Sequence, residues 1–295
     1  MEQAAKADCE PRLRLSGVSQ VYDGARGRTE ALRDVSLDVM PGQSVAILGP
    51  SGCGKSTTLL LAAGLRMPTS GEVFVDGRRV DGPRLPTSLI LQDFGLLPWK
   101  TVEQNAGLGL RIRRMPKRER RVRVARALES VGLSDFASAY PVELSGGMRQ
   151  RLAMARALSC DTDLLLMDEP LSALDALLRE DMQDMLKRCW LEAGYAQVIV
   201  THSIEEAVYL GERVFVFAPR PGRVAHVLEN AEVRMSGWRD DPRFFERCRE
   251  LRDVLKADAG RGAASFSGAA GGFRAPEART QADDESRAAK EALHA

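Results

Sequence analysis

Gly49-Pro50-Ser51-Gly52-Cys53-Gly54-Lys55-Ser56 fits the pattern G-x-x-x-x-G-K-[ST], a loop that wraps nucleotide phosphates. Its flanks are the ones this chemistry requires. Ser44 to Leu48 is short and apolar, as a buried strand before the loop should be, and Thr57 to Ala63 is compatible with a helix after it. Gly49, Gly52 and Gly54 let the chain curl, so that successive N–H groups and a helix N-terminus point at one phosphate. Lys55 adds a charge reaching the β- and γ-phosphates, and the Ser56 hydroxyl is a ligand for Mg2+. Pro50, Ser51 and Cys53 complete the loop. Thr57 is either a further phosphate contact or helix surface. The stretch implies a strand–loop–helix unit that binds a nucleoside triphosphate.

A second group of residues answers the first. Met167-Asp168-Glu169-Pro170 ends the apolar run Leu164 to Met167, which places Asp168 at the carboxyl edge of a sheet, where ligands of open α/β sheets bind. An acid there suits Mg2+, and Glu169 is positioned to orient or deprotonate an attacking water. Leu144-Ser145-Gly146-Gly147-Met148-Arg149-Gln150 is more discriminating still. Ser145 can cap the helix running to Leu158, and Gly146 and Gly147 leave backbone N–H groups uncovered at its positive end, which makes a second anion site.

This segment resembles the signature motif of the ATP-binding-cassette family, and the resemblance extends from about Leu13 to Leu228 with the family's motifs in order. It implies that Tyr22 stacks on adenine, that Gln92 contacts Mg2+ and the water, and that His202 meets the γ-phosphate. Ser172-Ala173-Leu174-Asp175 matches a loop that links two active sites. Taken without the resemblance, Tyr22 could be an ordinary strand aromatic, Gln92 a strand-end polar group and His202 a loop histidine. Met148 stands where the signature has Gln, and Ser203 where Asp is common; the first leaves Ser145 to Gly147 intact, and the second bears only on hydrogen bonding around His202.

The remaining pattern predicts an α/β fold: a P-loop NTPase core with a mainly parallel sheet, an antiparallel β subdomain and an inserted helical subdomain. Leu13 to Tyr22 and Ala31 to Val39 alternate as a half-buried antiparallel pair, with a turn-rich linker from Asp23 to Glu30. Gly71 to Gly77 and Ser88 to Leu91 read as strands. Helical periodicity runs from about Thr101 to Leu158, broken at Pro116 and Pro141. Strands return at Leu164 to Met167, Gln197 to Thr201 and Arg213 to Phe217, with a helix from about Asp175 to Glu192. The ATP-binding domain is expected over 12–233, with the helical subdomain at about 95–160. The core should be finished by Val233. A C-terminal helix at 240–258 would bury Phe244, Phe245, Cys248, Leu251 and Leu255, and the Ala-, Gly- and charge-rich segment 259–295 should be disordered.

Composition narrows the class. With 44% apolar residues over 295 positions the chain can fill a sizeable core. No run approaches the ~20 apolar residues of a membrane span, and Met1 to Glu10 lacks the apolar centre of a secretory signal. A net charge of +1 gives no nucleic-acid footprint, and five unpaired-looking cysteines suggest free thiols in a reducing compartment. Cys53 sits near a helix N-terminus, which lowers a thiol pKa; an inert small side chain is the favoured reading. The cationic run from Arg111 to Arg126 could touch lipid head groups, but Met115, Val122, Val124 and Leu128 make a solvated helix face with a core side the better reading.

The resemblance also implies a mechanism. Two chains would pair head to tail, each ATP held between Gly49 to Thr57 of one and Ser145 to Met148 of the other, with ATP and Mg2+ as the cofactors. A separate permease would form the pore, docking near Gln92, Phe94, Leu97, Pro98 and Trp99; Trp99 is either an anchor there or a cover for the helical subdomain. Leu96 to Val102, Leu144 to Arg151 with Met148, and Arg220-Pro221-Gly222-Arg223-Val224 look like nitrate, sulfonate and taurine import ATPases of bacteria. The expected role is the homodimeric ATPase subunit of a bacterial importer. It would be peripheral to the cytoplasmic face of the inner membrane and served by a solute-binding protein, with no nucleic acid. The alternatives are an exporter or lipid-transport ATPase, or a cassette that clamps nucleic acid or ribosomes.

Overall fold

Alternation along the central strands decides the layering. A computed structural model describes residues 10–24, 27–172 and 174–266, the last stretch by backbone alone from 258. Strand β3 (Ser44–Leu48) is buried throughout. Its Val45 and Ile47 join one hydrophobic cluster, Ala46 and Leu48 another. Strand β7 (Leu164–Asp168) splits in the same way, Leu164 and Leu166 to the first cluster, Leu165 and Met167 to the second. A parallel strand covered on both faces needs no polar side, so these runs are continuously apolar.

The large sheet runs β10-β9-β3-β8-β7-β6. Here β9 (Arg213–Phe217), β3, β8 (Ala196–Thr201), β7 and β6 (Thr87–Ile90) are parallel, and β10 (Val224–Glu229) closes the edge antiparallel to β9. One face is covered by a four-stranded antiparallel sheet in the order β2-β1-β4-β5, from β1 (Leu13–Gly24), β2 (Gly27–Val39), β4 (Ser70–Val75) and β5 (Arg78–Arg79), and by α1 (Lys55–Ala62). Leu13, Leu15, Leu37, Val73 and Leu59 meet there. On the other face lie α5 (Gly146–Leu158), α6 (Ala176–Ala193) and α7 (Ile204–Leu210). The inserted helices α2 (Val102–Ala106), α3 (Leu108–Ile112) and α4 (Lys117–Ser130) extend the same cluster.

Several expectations need correction. The linker from Asp23 to Glu30 is mostly strand: Asp23 pairs with Arg28 and Tyr22 with Thr29, because the hairpin continues once its inner residues are anchored. The core does not end at Val233. Trp238 is buried, its indole N–H donating to Val208 O at 3.0 Å, and Phe244, Cys248 and Leu251 of α8 (Pro242–Phe266) join the same cluster. Phe245, expected on that buried face, is exposed. The opening of the expected tail, 259–266, continues α8, as its alanines favour; residues 267–295 lie outside the described residues. In α4, Val124 and Leu128 are buried but Val122 faces solvent. Its cationic side is solvated, and Arg123 is tied to Asp161 at 2.6 Å and Glu119 at 3.0 Å.

Candidate functional site

Strand order assembles the site. The carboxyl ends of β3, β8, β7 and β6 lie side by side, so the Gly49 to Ser56 loop, His202, Asp168 with Glu169, and Gln92 reach one edge from distant parts of the chain. The loop, Glu169 and Gln92 border a cleft of about 450 Å³ lined by Lys55, Ser56, Thr57, Gln92 and Glu169, with Asp168 and His202 bonded to its lining residues.

Within the loop, Gly54 caps α1 at φ 91°, and a Cβ there would stand 2.7 Å from Ala31 O. Only glycine fits both conditions. Lys55 is 5% exposed; its Nζ donates to Gly49 O at 2.8 Å and Pro50 O at 3.0 Å, and lies 3.7 Å from Glu169 Oε1. The cation is thus fixed in place by the loop's own carbonyls. Cys53 is buried, and burial pushes its thiol up despite the nearby Lys55, which makes it an inert packing side chain. Cys160, Cys189 and Cys248 are also free thiols.

Ser56 Oγ donates to Asp168 Oδ1 at 3.0 Å. Burial raises the Asp168 pKa, and the Ser56 bond opposes that shift. Glu169 adopts φ 46°, a left-handed conformation rare for a residue with a Cβ, held by its N–H donating to Val200 O at 2.9 Å. Its Oε2 is 3.1 Å from Nδ1 of the exposed His202. One half-buried carboxylate therefore faces both a lysine and a histidine across the cleft.

Tyr22 stands at the flank. Its hydroxyl is 3.2 Å from Thr57 Oγ1, and the Arg66 guanidinium lies 4.7 Å over its ring. Ser145, Gly146 and Gly147 are not part of this cleft. Ser145 caps α5, accepting from Met148 N at 3.3 Å. Gly147 is buried under Leu178, whose Cδ2 would be 2.7 Å from an added Cβ, so its missing side chain serves packing onto α6, whereas Gly146 has room for one. Asp175 accepts from Leu178 N at 3.0 Å as the cap of α6, and Ser172 Oγ donates to Glu169 O at 3.0 Å.

Two organising residues escaped the sequence reading. Asn105, fully buried in α2, accepts from Leu97 N at 2.9 Å, and its amide donates to Leu97 O, Lys100 O and Thr101 O at 2.9–3.1 Å. It locks the turn that leaves Trp99 70% exposed, so Trp99 is no cover for the helical subdomain.

The other is Glu206, buried behind His202. Its Oε2 accepts from Thr201 Oγ1 at 2.8 Å, Thr201 Oγ1 accepts from Ser203 N, and Ser203 Oγ accepts from Glu206 N, which closes a ring around His202. Burial raises the Glu206 pKa from 4.5 to about 7. Between those values the folded chain keeps a proton that the unfolded chain has lost, so stability falls as pH rises through that window and is level above it. Glu206→Gln is expected to remove about 3 kcal/mol of this slope. Denaturant midpoints at about pH 5 and about pH 8 would check it, and an unchanged slope would rule Glu206 out as the source.

Comparison with known proteins identifies the family. Residues 32–172 match the family described as ABC transporter. The taurine import ATP-binding protein of Roseobacter denitrificans is 45% identical over 213 residues, 72% of this chain and 80% of that protein. The nitrate import ATP-binding protein of Synechocystis sp. is 39% identical, over 83% of this chain and 95% of that protein. Among solved structures, a bacterial ABC transporter cassette in dimeric form is similar at a TM-score of 0.67 with 33% identity, covering 76% of this chain and all of that one. No helix among the described residues is long and apolar enough to cross a membrane. Likeness at this level, over most of the chain and on the same motifs, means that it belongs to the ABC transporter family and is one of its ATP-hydrolysing proteins.

Proposed function

We propose that this ATPase powers uptake of a small solute, taurine- or nitrate-like, through a separate membrane permease, as a peripheral subunit on the cytoplasmic face of a bacterial inner membrane. The observation that carries its chemistry is Glu169 set between Lys55 at 3.7 Å and His202 at 3.1 Å in the cleft of the phosphate loop. Import rather than another use of ATP is supported by the names of relatives that match over most of the chain.

In this reading the loop N–H groups and Lys55 hold the β- and γ-phosphates, and Tyr22 stacks on the adenine. Glu169 orients and deprotonates the attacking water, its position fixed by the left-handed turn after Asp168. His202, kept in place by the Thr201–Ser203–Glu206 ring, contacts the γ-phosphate. Ser56, Asp168 and Gln92 present hydroxyl, carboxylate and amide oxygens, a donor set suited to Mg2+, and Ser56 and Asp168 already stand 3.0 Å apart. Mg2+ bound there with the nucleotide supplies charge neutralisation at the phosphates.

Ser145, Gly146 and Gly147, which do not line their own cleft, serve the nucleotide of a second copy. ATP then closes a homodimer and hydrolysis reopens it, driving a permease docked at Leu97 to Trp99; a solute-binding protein delivers the cargo to that permease. Affinity capture of the tagged Glu169→Gln protein from solubilised native membranes, with ATP, tests this. A multi-span permease is expected. Ribosomes or nucleic acid without a membrane protein would overturn the transport reading.

A further inference from the structure

Arg220 lies in a segment that the reaction described above does not use. It follows β9, whose carboxyl end flanks the phosphate loop on the side away from His202. The turn is fastened to β2, beside that loop, by two backbone bonds. Gly222 N donates to Ala31 O at 2.9 Å and Arg33 N to Gly222 O at 2.9 Å, while Gly222 fits against Cys53 O with no space for a Cβ. Arg220 Nε donates to Gly52 O at 3.1 Å, and its terminal nitrogen would lie 2.6 Å from a Cβ at position 52. Gly52, at φ 76°, is therefore needed both for the loop's curl and for the approach of this guanidinium.

The guanidinium borders the same cleft as Lys55 and Ser56. Among the described residues, only one of its five N–H donors is engaged and no ion pair reaches it. The acids nearby are occupied: Glu30 pairs with Arg33, and Glu169 faces Lys55 and His202. An exposed guanidinium with free, fork-shaped donors at the rim of a phosphate site is matched to a phosphate oxygen pair.

We propose that Arg220 binds the phosphate chain of the nucleotide, as a second cation beside Lys55. This rests on the nucleotide site proposed above and adds a contact from the β9–β10 turn. Binding the nucleotide then ties that turn to the loop through a shared phosphate as well as through the Arg220–Gly52 bond.

The test is calorimetric titration of ATP and ADP into the full chain and its Arg220→Gln and Arg220→Lys variants, with the nucleotide-free melting temperature of each. Arg220→Gln should weaken both nucleotides about tenfold, the scale of one charge-assisted bond, with the nucleotide-free melting temperature unchanged. Arg220→Lys should recover part of the loss and increase the dependence on salt. Wild-type affinity in Arg220→Gln would overturn the proposal. So would a loss shared equally by both variants together with a lowered nucleotide-free melting temperature, since that pattern belongs to a support for the loop. Lys55→Ala serves as the control: binding lost there but kept in Arg220→Gln refutes this inference alone, whereas binding kept in both refutes the nucleotide site itself.

Discussion

Replacing Lys55 with alanine is expected to weaken nucleotide binding about a hundredfold, the scale of one strong charge-assisted bond to phosphate, the third donor of an ammonium that spends its other two on the loop. Lys55 is 5% exposed, and its ammonium is already held by Gly49 O and Pro50 O, so little ordering is left to be done when phosphate arrives. Its removal also leaves Glu169 Oε1 without the cation 3.7 Å away, which places a bare carboxylate opposite the incoming triphosphate. Both effects act against binding. Direct titration of the purified variant with ATP would check this, and retained affinity would refute the phosphate-loop reading.

Glu169→Gln should separate binding from turnover. Glutamine keeps the side chain's size and one oxygen for His202, but it cannot accept a proton from water, so the loss should fall on the chemical step. A fall in phosphate release of about 10²–10⁴-fold is expected, the usual contribution of a general base. ATP affinity should be kept, and the ATP-bound pair should accumulate because its bridging phosphate is no longer cleaved. Phosphate release together with size-exclusion chromatography in ATP would measure both. Unchanged turnover would remove Glu169 from the chemistry. The left-handed backbone at Glu169 also predicts that the substitution is tolerated structurally, since Val200 O holds the main chain and not the side chain.

What could be read without coordinates was local. The phosphate loop, the acids after β7 and the capping Ser145 are each encoded by a few adjacent residues, and their backbone chemistry is the same wherever they fold. The buried strands were legible because a sheet covered on both faces requires unbroken apolar runs. The hairpin extension through Arg28, the edge strand β10 and the docking of Trp238 were not, since weakly patterned segments acquire structure from the surface they meet. The roles of Asn105 and Glu206 depend on which way their side chains turn into nearby loops, and the contact of Arg220 depends on Gly52, far away in sequence; no residue pattern shows either.

The sequence by itself determined the kind of chemistry, because a loop of glycines with Lys55 and Ser56, an acid pair and a second glycine turn carry their phosphate and water functions within their own spacing. Only the tertiary structure decided that the loop and the acid pair share one site. The order β9-β3-β8-β7-β6 brings Arg220, Lys55, His202, Glu169 and Gln92 to a common edge. It also keeps Ser145 to Gly147 out of that cleft. Strand order is a property of which buried faces pack together, and no local stretch of residues encodes it.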